Sequence, residues 1–132
     1  MVQQKAPLDK RITAFVIDWI GLCIIQSIII GTILLPNLKF ISPQILITAV
    51  ITATAITFLI NLFKDSIGGM SLGKRIMRIG IRREDNSAQV PSLAKLMIRN
   101  FLVLLWPIEA WLLVKNGKRL GDTVTKTDVY SL

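Results

Sequence analysis

Two charged residues stand where a long apolar stretch begins. Arg11 lies just before it and Asp18 lies inside it. Seven residues are nearly two helical turns, so both side chains share one face, about 10 Å apart along the axis. Ala14 and Gly21 fall on that face as well, making a stripe of small and charged residues. Phe15, Ile17, Ile20, Leu22 and Ile24 cover the other directions. A carboxylate at membrane depth costs at least a few kcal/mol (~3) unless it is paired or hydrated. Two chemistries answer that cost. Asp18 binds a proton or cation, with Arg11 gating or competing for it, or it belongs to a structural ion network tying spans together. Asn61 is the best hydrogen-bond candidate for Asp18, and Glu109, two residues after Pro107, is a second carboxyl at membrane depth.

The remaining inventory removes other chemistries. The chain has no histidine and one cysteine, Cys23, inside the first apolar run. It therefore lacks the commonest general base and offers no cysteine cluster for a metal and no intrachain disulfide. No catalytic residue, metal or cofactor is expected, and the chain does not read as an enzyme. Gly68-Gly69-Met70-Ser71-Leu72-Gly73-Lys74-Arg75 nearly matches a phosphate-binding loop. Arg75, however, stands where such a loop needs Ser or Thr for magnesium, and the stretch follows a membrane helix rather than a strand. It reads as a glycine-hinged basic turn at the lipid headgroups.

The elements that must position these residues are mostly membrane spans. Hydrophobic residues make up 52% of the 132, which suits a multi-pass membrane protein. About 20 apolar residues in a helix cross a bilayer's hydrocarbon core. Residues 12–35 and 44–63 meet that length, joined by a turn rich in proline and asparagine. The first is too long for a signal peptide and should be retained. The second is rich in Ala and Thr, including Thr48, Ala49, Thr52 and Ala53, a spacing that favours close packing on the first span over a polar lining. A third segment, 93–114, opens after Ser92 and is interrupted by Trp106-Pro107. It is either a third crossing or a bent, re-entrant one.

The net charge of +8 sits in segments flanking the apolar runs. That distribution points to topology and anionic lipid headgroups rather than nucleic acid. Residues 64–99 carry eight basic residues against three acidic, which places the 64–92 loop in the cytoplasm with the N-terminus. The tail, 115–132, is also basic. Met77 to Arg82 and Thr125 to Tyr130 alternate apolar and polar, so a short cytoplasmic strand pair is expected. The expected architecture is one all-α membrane domain over 1–132: two full transmembrane helices, a third Pro-bent segment and that strand pair.

These pieces, in this order, resemble the RDD family of small bacterial membrane proteins, named for one arginine and two aspartates. The pattern is Arg11 and Asp18, then the Gly68 to Arg75 stretch, then Arg99-Asn100, then Arg119-Leu120-Gly121-Asp122 and Thr127. Carried over by position, the arginine is Arg11, the first aspartate Asp18 and the second Asp122, with Asp65 the lesser candidate for the second. One departure is Thr123 to Lys126, where the family has small apolar residues and a glycine before the threonine. The resemblance implies a multi-pass protein of the bacterial cytoplasmic membrane and transport of an ion or small ligand, with cation/proton antiport in some members. The charge network expected to carry it is Arg11, Asp18, Arg99, Glu109, Arg119 and Asp122. A chain this small would need a homo-oligomer or a larger membrane complex to form a pathway. The alternative is a non-catalytic accessory or scaffold subunit of such a complex.

Overall fold

The computed structural model describes residues 4–132. Its elements run α1 (Leu8–Leu34), a 3₁₀ turn (Leu35–Phe40), α2 (Pro43–Phe63), α3 (Leu72–Ile76), β1 (Ile79–Arg83), α4 (Leu93–Phe101), a 3₁₀ turn (Leu102–Leu105), α5 (Trp106–Asn116), α6 (Leu120–Thr125) and β2 (Thr127–Ser131). Three helical stretches are long and apolar enough to cross a membrane: Leu8–Phe40, Pro43–Phe63 and Leu93–Asn116. The chain divides into two compact units, one of Trp19–Asn61 and one of Met1–Asp18 with Leu62–Leu132.

The Trp19–Asn61 unit is almost wholly apolar on its surface. Trp19, Ile28 and Ile51 are each more than half exposed, as are many of their neighbours. An exposed apolar surface of this extent suits contact with a bilayer or with a partner protein. The buried residues of α2 are Ala49, Ala53, Thr57 and Asn61, a line with a period of four. Small residues at that spacing permit close helix approach, so the Ala/Thr pattern serves packing. Gln26 Nε2 donates to Thr54 Oγ1 at 3.3 Å, linking α1 to α2.

The other unit holds the strand pair. β1 and β2 are antiparallel, with Ile81 opposite Val129 and Arg83 opposite Thr127. The expected pairing is therefore present. The N-terminal residues extend it: Ala6 N donates to Val129 O at 2.9 Å and Ser131 N to Gln4 O at 3.0 Å, so the chain before α1 lines the free edge of β2. Ala6, Ala14, Ile79 and Val129 form a small apolar core. Ser92 is the N-cap residue of α4, though its side chain makes no capping bond. Asp9 lies in the first turn of α1, which begins at Leu8. The 93–114 segment is not one straight helix. It breaks at Leu102–Leu105, and α4 and α5 both pack on α6.

Candidate functional site

Five of the eight acidic residues are buried, and all five lie in the strand-bearing unit: Asp18, Asp65, Glu109, Asp122 and Asp128. Buried carboxylates must find cations or donors, or be neutralised. Here they find both, and the network is the unit's polar core.

Asp18 is held by the glycine-rich turn. Ser71 Oγ donates to its Oδ2, and Gly73 N donates to its Oδ1 at 2.8 Å. Ser71 is also the N-cap of α3, its oxygen accepting from Lys74 N. Gly68 and Gly69 turn the chain with φ near +70°, a conformation glycine adopts without steric cost. Gly73 has to be glycine for another reason. A Cβ there would collide with the carbonyl oxygen of Ala14 and stand 3.0 Å from Asp18 Oδ1. The turn is hinged as expected, but Lys74 is buried rather than held out at headgroups. Its Nζ lies 2.5 Å from Asp65 Oδ1.

Arg11 and Asp18 share the α1 face but engage different partners. Arg11 Nη2 donates to Asp122 Oδ2 at 2.8 Å and Nη1 to Gly117 O at 2.5 Å, with Asp128 Oδ1 3.5 Å away. Ser71 and Gly73, at the start of α3, donate to Asp18. Arg99, in α4, donates from Nε to Asp122 Oδ1 at 2.5 Å, and its Nη1 lies 3.6 Å from Asp65 Oδ2. Glu109 accepts from Gly121 N at 3.0 Å, with Arg119 Nη1 4.0 Å away. Arg119 N also donates to Asp122 Oδ2, closing a capping arrangement on α6. The structure thus brings Arg11, Arg99, Glu109, Arg119 and Asp122 together through α6, while Asp18 is anchored on α3.

Sequence reasoning missed four participants: Lys64, Lys74 and Asp128 altogether, and Asp65 as more than a lesser alternative. Asp128 is 1% exposed and pairs with Lys5 at 2.9 Å, as well as approaching Arg11 and Lys118. Burial alone would raise the pKa of Asp65, but Lys74, Arg99 and Lys64 outweigh it and hold the carboxyl well below its usual range. Asp122 behaves likewise, its burial outweighed by Arg99, Arg119 and Arg11. Lys74 moves the other way for an amine. Burial pushes it down to about 7, with Asp65 opposing and Arg99, Lys64 and Arg119 adding to the drop.

A cavity of about 30 Å³ opens inside this network. Arg11, Lys64, Lys74, Arg99 and Arg119 line it with Asp18, against apolar walls from Phe15, Ile79, Leu113 and Val129. Among the described residues, the buried side-chain atoms without a hydrogen-bond partner are Thr57 Oγ1, Asp65 Oδ2, and Nη1 and Nη2 of Arg99. No group of His, Cys, Asp and Glu suited to a metal ion occurs among the described residues.

Helices suited to a bilayer, joined to a compact unit with a buried ion network, define a class: helical proteins fitted to membranes. Within that class the chain belongs to the RDD family, whose model matches residues 5–124. No curated protein and no solved structure is significantly similar to it.

Proposed function

We propose that this is a multi-pass protein of the bacterial cytoplasmic membrane that moves a small ion through the buried network, working as a homo-oligomer or with a larger partner. The observation that carries the reading is Arg99. The residue is 2% exposed and lines the cavity, and neither Nη atom makes a hydrogen bond: Nη1 has only the 3.6 Å ion pair with Asp65, and Nη2 has no partner. An unmatched buried donor costs roughly 1–3 kcal/mol, and a passing ion or its water would relieve that cost. The N-terminus and the 64–92 loop face the cytoplasm on this reading. The pairing of β1 with β2 keeps both ends of the third segment on one side, which supports a re-entrant course over a third crossing. Exposed Arg75 and Arg78 are then available to anionic headgroups.

The test is flux. Proteoliposomes loaded with a pH-sensitive dye would be given gradients of sodium, potassium or chloride in turn. Gradient-dependent flux above protein-free vesicles, abolished by Arg99→Met, is expected. Absence of flux for every ion in the purified oligomer would end the autonomous transport reading. The accessory-subunit alternative draws on Asp18, whose carboxylate is taken up by Ser71 and Gly73 and so acts as a clamp. Native mass spectrometry from the source membrane showing a stoichiometric larger partner would favour it.

A further inference from the structure

The cavity has the wrong sign for a cation. Five cationic side chains line it and a single carboxylate does, and that carboxylate, Asp18, already accepts from Ser71 and Gly73. The carboxylates that balance the cations, Asp65, Glu109, Asp122 and Asp128, pair with them without lining the space. A cation entering here would meet like charges at short range. The groups without a hydrogen bond agree: Asp65 Oδ2 and Nη1 of Arg99 face each other at 3.6 Å as an ion pair, which leaves Nη2 of Arg99 as the donor that seeks an acceptor. Guanidinium and ammonium groups around a partly apolar pocket are a recognition set for anions. The volume, about 30 Å³, exceeds the ~10–15 Å³ that one water needs and is small for a ligand of organic size.

We propose that the space bounded by Arg99, Lys64, Lys74, Arg11 and Arg119 is a binding site for a small inorganic anion of halide size. The inference rests on the reading that this network handles an ion, and it names the ion's class. Chloride would sit on the free edge of Arg99, with Lys64 and Lys74 supplying charge and Phe15 and Leu113 excluding bulk water. Lys64 differs from the others in use. It is half-buried and makes none of the network's ion pairs among the described residues, so removing it takes charge from the cavity without breaking a pair.

The experiment uses the full chain in nanodiscs of neutral phosphatidylcholine, so that no anionic headgroup competes. Chloride is titrated against gluconate at constant ionic strength, and thermal unfolding and calorimetric heat are both read. A saturable rise in Tm with chloride and with bromide, absent with gluconate, is expected. Lys64→Met should weaken binding roughly five- to tenfold, the screened effect of one nearby charge, read as the chloride midpoint against the variant's own chloride-free Tm. Arg99→Lys should abolish binding; if it fails to fold, Lys64→Met carries the test alone. Equal responses to chloride and gluconate would overturn the site, as would identical titrations of wild type and Lys64→Met. A response to phosphate with none to chloride would overturn the halide assignment. Saturable chloride binding without flux upholds this site and removes transport. Chloride flux without binding at Lys64 and Arg99 overturns the site and leaves transport standing.

Discussion

Replacing Gly73 with alanine probes the contact on which the Asp18 anchor depends. The added Cβ would overlap the carbonyl oxygen of Ala14 and crowd Asp18 Oδ1 at 3.0 Å. Ala14 O is backbone in the second turn of α1, so no side chain can swing aside; α3 must move. Moving it stretches the 2.8 Å bond from Gly73 N to Asp18 and the bond from Ser71 with it. Overpacking of this kind costs about 1–3 kcal/mol. A hydrogen bond to a charged group contributes about 1.5–3 kcal/mol. Together they give roughly 2.5–6 kcal/mol, a large part of the ~5–15 kcal/mol that holds a domain folded. The control is Gly21→Ala, on the same α1 stripe, where an added Cβ meets nothing within 4 Å. A mid-helix alanine there should be neutral or stabilising by up to about 1 kcal/mol. Unfolding in mixed micelles, titrated with a denaturing detergent and followed by tryptophan fluorescence, compares the two variants directly. Gly73→Ala within about 1 kcal/mol of the wild type would refute the clamp, and so would equal losses in the two variants.

Three further outcomes follow from the network and its surroundings. Asp122→Asn keeps the shape but strands Arg99 and Arg11, both held by that carboxylate, so a loss of about 3–5 kcal/mol is expected in the same unfolding assay; Arg83→Ala, which breaks an exposed pair with Asp85, should leave stability unchanged. Stability should rise with pH from about 7 towards 10, because Lys74 titrates near 7 when folded and near 10.5 when unfolded, so the unfolded chain binds the extra proton across that window. The slope should not exceed about 1.4 kcal/mol per pH unit for this group, and Lys74→Met should remove its share; a falling slope would contradict the burial argument. Asp65 and Asp122 act at the other end: their folded pKa values are depressed, so their contribution holds above the unfolded value and is lost as pH falls below about 4. Lys126 carries φ of 52° at the end of α6, a conformation glycine adopts without steric cost, so Lys126→Gly should stabilise by about 1 kcal/mol and Lys126→Ala should not.

The parts legible in the sequence are those written in local pattern. A 20-residue apolar run has few soluble readings, and α1 and α2 appear where those runs lie. The alternation in Ile79–Arg83 and Thr127–Ser131 found its partner because a lone short strand cannot stand unpaired. The pairings inside the network carry no such signal. Arg11 and Asp122 are 111 residues apart in sequence, and nothing local marks one cation as buried and another as exposed. Lys74 and Arg75 are neighbours in one basic turn, yet the first is 7% exposed and the second faces out. Asp65 had one faint mark: an acidic residue directly after an apolar span, between Lys64 and the glycine pair. Asp128 was hidden by its place in an alternating strand, where a polar residue is expected to face water.

The near-match to a phosphate loop has a physical reading that joins these observations. Such loops work by presenting backbone N–H groups and a lysine to an anion. Here Gly73 N and Ser71 Oγ are presented to an anion, and it is the chain's own Asp18. Lys74 in turn spends its ammonium on Asp65 rather than on a bound phosphate. The turn is thus an occupied cradle, and it draws the start of α1 onto α3. Arg99 is the opposite case, a buried cation that hydrogen-bonds through Nε alone. Two roles therefore separate in this core: Asp18, bonded at both oxygens, holds α1 to α3, while Lys64, outside the network's ion pairs among the described residues, and Arg99, with Nη2 unbonded, offer charge to the cavity. Asp18→Asn should consequently lower stability while chloride affinity in whatever fraction remains folded rises, because a negative charge leaves the cavity wall, and Lys64→Met should lower the affinity, so the two substitutions move binding in opposite directions within one network.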